Sequence, residues 1–156
     1  YWILQTVMAA LAFLAMLGSF ASTVFISQEV FAFLPIRQGM ALGRTVHLLC
    51  AYWGYLLLSL HLGLHWGMMV AMAGKKLSPS PRRQVVFTIL GGAAALYGVF
   101  ALFKRQIPTY LFLQSQFVFF NFDEPLVFFF PDYLAVMAAF VWLGHTLTKA
   151  VRRLEK

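Results

Sequence analysis

The chain has 156 residues, of which 62% are hydrophobic and 11% are charged, and its mean hydropathy is +0.79. Soluble domains are about half apolar and about one quarter charged, so this composition excludes an ordinary soluble globular protein. The net charge of +7 does not indicate nucleic-acid binding, because the basic residues cluster at the ends of apolar runs, as topology signals do.

Four apolar stretches are long enough to cross a membrane as helices, since a span of the apolar layer takes about 20 residues. They cover about 2–27, 41–73, 84–103 and 127–151. We therefore predict an all-α integral membrane four-helix bundle that forms a single membrane domain. Because the chain begins with Tyr1 and shows no secretory leader, we expect it to be a C-terminal part of a longer protein.

The third and fourth spans are separated by an aromatic-rich stretch, residues 108–131. Polar and acidic side chains interrupt it too often for a span, so we predict an interfacial or re-entrant segment. Asp132 follows Pro131, and we expect its side chain to cap the fourth helix. In the third span, the small residues 91–95 predict a surface for close helix packing.

Lys and Arg predict the orientation, because they are enriched in cytoplasmic connectors. Of the twelve, four lie in the connector 74–83 and four in the tail 149–156, while the other two connectors share the remaining four. We therefore expect the first residue of this chain and its C-terminus to lie on the cytoplasmic side. The aromatic segment then lies on the outer side.

Three histidines lie in the second span: His47, His61 and His65. At about 100° per residue, His47 and His65 are five whole turns apart and His61 lies about 40° away, so all three share one face. Histidine is costly inside hydrocarbon and usually marks a functional site there.

The spacing of these histidines suits two stacked haems. His47 and His61 are separated by about 21 Å along the axis, which places one in each leaflet. An imidazole nitrogen is a common ligand of haem iron. Gly54 lies midway on the same face and would leave room for a flat porphyrin, and Arg44 lies one turn outward of His47, where it would meet a propionate.

Other interpretations stay open at this point. His61 and His65 are four residues apart and are able to chelate one zinc or copper ion, although no cysteine or carboxylate flanks them. Buried histidines also hold helices together by bonding carbonyl groups. Arg44 and Gly54 also have ordinary interpretations. Arg44 would extend its side chain to the membrane interface, and Gly54 would allow close packing of a neighbouring helix. A membrane metal-binding or metal-transport protein, and a structural membrane subunit, are therefore the alternatives.

His145 in the fourth span is a further candidate ligand. It lies near the inner leaflet, where it would face His61 or His65 across the bundle. Two six-coordinate haems need four axial ligands, and the sequence offers no histidine opposite His47. We expect that missing ligand to come from a preceding part of the protein.

The chain resembles the flavinylation-associated cytochrome family of bacterial membrane proteins. The resemblance rests on GRTVHLL at 43–49, YWG at 52–54 and LHLGLHW at 60–66, together with QFVFFNFDEP at 116–125. It implies a cytochrome b-like dihaem electron carrier in the bacterial cytoplasmic membrane. His47 and His61 map onto the axial positions, while His65 maps onto an asparagine of the family, which leaves its role open.

The resemblance also implies a partner, an extracytoplasmic domain that carries covalently attached flavin. We therefore predict a b-type electron-transfer protein with two haems b, which relays electrons between a cytoplasmic-side or quinone donor and that flavoprotein. It would be a subunit of an oxidoreductase system rather than a self-contained enzyme. Residues 117–132 are a candidate cover for the outer haem or docking surface, and an ordinary interfacial aromatic belt is the alternative.

Overall fold

The computed structural model describes residues 1–27, 39–72, 81–118 and 121–155. It contains four long helices and one short one. They are α1 (Trp2–Ile26), α2 (Met40–Met72), α3 (Pro81–Lys104), α4 (Ile107–Leu111) and α5 (Leu126–Leu154). The four long helices are apolar and long enough to cross a membrane, so the prediction of an all-α four-helix membrane protein is confirmed. The predicted basic loop lies mostly outside the described residues, as does most of the first connector.

The long helices pack in the order α1, α2, α5 and α3. Contacts between Gln5 and His65 and between Ser22 and His47 show that α1 and α2 run antiparallel. We call the end of the bundle that carries residues 104–126 the aromatic end, and the end that carries residues 145–155 the basic end. α2 and α5 both run from the aromatic end to the basic end.

Glycines let the helices cross closely. A Cβ atom on Gly144 of α5 would lie 3.0 Å from the Cα of Gly63 in α2, and one on Gly98 of α3 would lie 2.6 Å from the carbonyl carbon of Ala135. Such close approach of backbones is typical of helix pairs in membranes. The closest approach of α3 is at Gly98. Within the predicted stretch 91–95, Ala95 is buried and a Cβ on Gly91 would contact Trp142 at 3.6 Å, whereas one on Gly92 would meet no described atom within 4 Å.

The aromatic end differs from the prediction in two respects. Leu126 already begins α5, so the last residues of the predicted interfacial stretch 108–131 are helical. The prediction that Asp132 caps this helix is wrong, because Pro125 precedes its first turn and Asp132 lies well inside it. The physical reason is that the helix begins directly after Pro125 and continues through Pro131, which lies inside it and costs one backbone hydrogen bond.

A short connection links α3 to α5 by way of α4. Gln106 adopts a left-handed backbone conformation (φ 52°), which turns the chain sharply from α3 into α4. Ile107 and Leu111 of α4 then pack against Leu56, Ala101 and Val136. This small core fixes the position of the aromatic end relative to α2, α3 and α5.

Candidate functional site: the histidine face of α2

The histidine stripe of α2 faces α1. The Nδ1 atom of His47 lies near two serines of α1, and Nδ1 of His65 lies 3.4 Å from the side-chain amide nitrogen of Gln5. The predicted arrangement of these two histidines on one face is therefore present in the structure, and all three imidazoles of α2 are half-buried. Three half-buried imidazoles on one membrane helix indicate a functional site, since histidine is costly in hydrocarbon.

His47 is held in one ring orientation by α1. Its Nδ1 atom lies 3.2 Å from the carbonyl oxygen of Ser19 and 3.1 Å from Oγ of Ser22. A carbonyl oxygen only accepts, so the ring hydrogen lies on Nδ1 and donates to it. Neutral His47 therefore carries its lone pair on Nε2, the nitrogen that would bind a metal.

His61 and His65 form a close pair. Their ring centroids lie 4.7 Å apart with an angle of 56° between the planes. Nδ1 of His61 is buried and has no hydrogen-bond partner among the described residues. A buried nitrogen without a partner is costly, and a bound metal is one way to satisfy such a group.

Gly54 and Arg44 have protein partners of their own. A Cβ on Gly54 would contact Cβ of Ala15 in α1 at 3.4 Å, so this glycine lets the two helices pack between the levels of His47 and His61. Arg44 is exposed, and its guanidinium lies 3.9 Å from the sulfur of Met40. Gly54 thus has the packing role that the sequence left open, and its predicted role beside a porphyrin stays a prediction.

His145 lies on α5 at the basic end of the bundle. It lines a cavity at the basic end together with Leu64 and Met68. Within the described residues, no three His, Cys, Asp or Glu side chains come together as a metal group. His145 therefore does not complete a three-residue site with His61 and His65 in this conformation.

An ion cluster at the aromatic end was missed from the sequence, where Asp132 was interpreted as a cap. Asp132 is only 1% exposed. Its carboxylate accepts hydrogen bonds from the hydroxyl of Tyr97 at 2.5 Å, from Nζ of Lys104 at 2.9 Å and from Nε of Arg105 at 2.7 Å. A buried carboxylate needs such partners. The acidic residue Asp132 within an apolar helical run was therefore the sequence signal from which a buried ion cluster could have been predicted.

Arg105 links this cluster to the aromatic segment. Its two terminal nitrogens donate to the carboxylate of Glu124 at 2.5 and 2.6 Å, and its guanidinium lies 5.0 Å from the ring centroid of Phe129. The hydrogen bond to Glu124 raises the pKa of Arg105, and the same bond lowers the pKa of Glu124. Both groups are therefore charged near neutral pH and fasten the segment to the helices.

The cluster borders a cavity of about 390 Å³ at the aromatic end. Its wall combines charged, amide and aromatic side chains: Lys104, Arg105, Gln106, Tyr110, Val118, Asn121, Glu124, Phe129 and Tyr133. Tyr133 in turn contacts the hydroxyl of Tyr52 at 3.5 Å. The segment 117–132, predicted as a cover or docking surface, thus forms one side of a polar recess, except for residues 119–120, which are not described.

Comparison of the chain with protein-family models, with curated proteins and with solved structures finds no match.

Proposed function

We propose that this protein is a b-type haem protein that carries single electrons across a membrane to or from an extracytoplasmic flavoprotein. The observation that carries the proposal is the geometry of His47. Its Nδ1 lies 3.2 Å from a backbone carbonyl oxygen of α1, which favours the tautomer with the hydrogen on Nδ1 and the lone pair on Nε2. Histidines that bind metals are oriented by a bond of this kind through their second nitrogen.

The residues on the histidine face fit haem as donors. His47 would bind one iron and His61 the other, each through a neutral imidazole nitrogen. The unpartnered Nδ1 of His61 supports this second assignment. Bound haem would supply the one-electron chemistry, while the protein orients the imidazoles and limits the access of water.

The charged and aromatic residues support a docking role for the aromatic end. The distribution of basic residues favours an outer position for this end in the bacterial cytoplasmic membrane, where a flavoprotein partner would lie. Arg105 and Glu124 hold segment 121–130 against the helices, so the recess beside them presents a defined surface. Electrons would then pass between the outer haem and the partner at this end, with a quinone or a cytoplasmic-side donor at the other haem.

The proposal is tested by the absorbance of the full-length protein, purified after expression in a haem-replete host. We expect reduced-minus-oxidised bands of low-spin b haem. Replacing His47 with alanine should remove about half of the haem signal, because only the outer iron loses its ligand. The control is Thr45→Ala, since the Thr45 hydroxyl donates to the carbonyl of Ala41 in its own helix, and this variant should keep both haems.

A metal site on the His61–His65 pair is the second candidate. The short distance between these rings favours it, because imidazoles four residues apart on a helix are able to share one ion. Elemental analysis of the same preparation separates the two functions. Zinc or copper at one ion per chain with no haem would overturn the haem proposal, and the absence of both would favour a structural membrane subunit.

A further inference from the structure

The basic end contains a second cavity, of about 180 Å³, between α2 and α5. It is separate from the proposed haem ligands, because none of the three histidines of α2 is among its lining residues. The described residues that line it are Tyr1, Leu64, Gly67, Met68, His145, Thr148, Lys149 and Arg152.

Three nitrogen bases of α5 line this cavity. His145, Lys149 and Arg152 follow one another at intervals of four and three residues, so they lie on one face of the helix. None of the described residues that line the cavity is acidic. Two basic side chains thus border a recess whose described wall contains no acid, and the neighbouring Glu155 carboxylate is engaged with the amino group of Tyr1.

Of the polar side chains that line the cavity, Lys149 and Arg152 are the cationic donors that could bind a ligand. The guanidinium of Arg152 lies 4.5 Å from the centroid of the Tyr1 ring, a stacking contact that restricts its position. The hydroxyl of Thr148 lies 3.3 Å from the carbonyl of Leu64 and 3.1 Å from the carbonyl of Gly144, so it is already engaged.

The opposite wall is apolar and open. Leu64 and Met68 supply hydrocarbon surface, and a Cβ on Gly67 would meet nothing within 4 Å. A ligand that fits both walls needs an anionic group near the basic residues and a hydrocarbon portion near the apolar ones. Phospholipids have this construction, and basic recesses between membrane helices on the cytoplasmic side bind anionic headgroups.

Arg153 shows that charge alone does not define the site. Basic residues at the C-terminal end of a helix compensate its dipole and mark the cytoplasmic side, and Arg153 serves both purposes equally well. Both arginines are exposed, but of the two only Arg152 is among the described residues that line the cavity. The two arginines are therefore a matched pair that separates a built site from a general basic surface.

We propose that this cavity binds the phosphate of an anionic phospholipid, with Lys149 and Arg152 as its charged partners and Leu64 and Met68 beside the start of the acyl chains. This site is independent of haem. The bound lipid would contact both α2 and α5 and would thereby stabilise their crossing at the level of the inner leaflet.

The test is native mass spectrometry of the delipidated full-length protein with phosphatidylglycerol or phosphatidylcholine. Wild type should retain phosphatidylglycerol preferentially. Replacing both Lys149 and Arg152 with glutamine should weaken that retention at least about ten-fold, since each base near an anionic headgroup contributes measurably to binding. Arg153→Gln should leave it nearly unchanged, and Arg152→Lys should keep most of it.

Three results would overturn the proposal. Equal losses in Arg153→Gln and Arg152→Gln would show a diffuse basic surface, and equal retention of both lipids would exclude recognition of the anionic headgroup. Displacement of the lipid by millimolar inorganic phosphate would show that the site takes a free anion instead. Circular dichroism of each variant establishes that the helices are intact, so that a loss of binding is not a loss of fold.

Discussion

Nε of Arg105 donates a 2.7 Å hydrogen bond to the carboxylate of Asp132, and this bond joins the residue that follows α3 to the second turn of α5. The same guanidinium holds Glu124 in the aromatic segment with its other two nitrogens. One arginine thus connects two long helices and the segment between them. Since Asp132 is 1% exposed, its charge depends on these partners rather than on water.

We expect Asp132→Asn to destabilise the protein by about 1–3 kcal/mol, because a buried amide cannot accept all the hydrogen bonds that Tyr97, Lys104 and Arg105 donate to the carboxylate. Thermal unfolding in detergent, followed by circular dichroism, measures the effect. The matched control is Asp123→Asn, since Asp123 is exposed. An unfolding temperature that is the same for both variants would contradict a stabilising role for the cluster.

Stability should also depend on the charge of Glu124. Hydrogen bonding to Arg105 lowers its pKa below the usual value of about 4.3. A carboxyl with a lowered pKa stabilises the folded state fully above its unfolded pKa, and this contribution is lost as the pH falls through the folded pKa. The unfolding temperature should therefore fall below about pH 5, and Glu124→Gln should make that decline shallower.

The acid decline of the variants, compared with that of the wild type, decides whether the Arg105–Glu124 ion pair contributes to stability. The wild-type protein and Asp123→Asn should show the same acid decline, because the exposed Asp123 carboxyl takes no part in the bonds to Arg105. If Glu124→Gln and wild type lose stability equally between about pH 5 and pH 3, the ion pair contributes nothing measurable.

Ser22 should tune the haem that we assign to His47. Its hydroxyl lies 3.1 Å from Nδ1 of the imidazole, and loss of such an outer partner weakens metal binding by about ten-fold or more. Ser22→Ala should therefore lower the haem content and shift the midpoint potential of one haem only, as measured by a spectroscopic redox titration. Thr6→Ala is the control, because its hydroxyl bonds within α1 to the carbonyl of Trp2.

Two glycines should respond to alanine in opposite directions. Gly144→Ala places a Cβ against Gly63 and Leu64 at 3.0 Å, which should cost about 1–3 kcal/mol. Gly92→Ala meets nothing within 4 Å in a helix, so it should stabilise the protein by up to about 1 kcal/mol. Thermal unfolding of both variants checks the crossing, and a neutral Gly144→Ala would show that α2 and α5 are farther apart.

Most of the fold was predictable because hydrophobic length is a local property. Each long apolar run is able to satisfy its backbone only as a helix in a membrane, so spans follow directly from composition. The shared face of His47 and His65 was also predictable, because a regular helix converts spacing into angle. The start of α5 lies within one residue of the predicted span 127–151, but the role of Asp132 was not predictable, since Pro131 suggested a helix start at a point where the helix continues.

The sequence by itself determined the four apolar helices and the histidine stripe. Only the tertiary structure decided that this stripe faces α1, that Gly54 packs against Ala15, and that Arg105 joins Asp132 to Glu124. The physical reason is that periodicity fixes which residues share a face of one helix, whereas the helix that covers this face depends on packing. Such contacts join residues distant in the chain, and no local pattern specifies them.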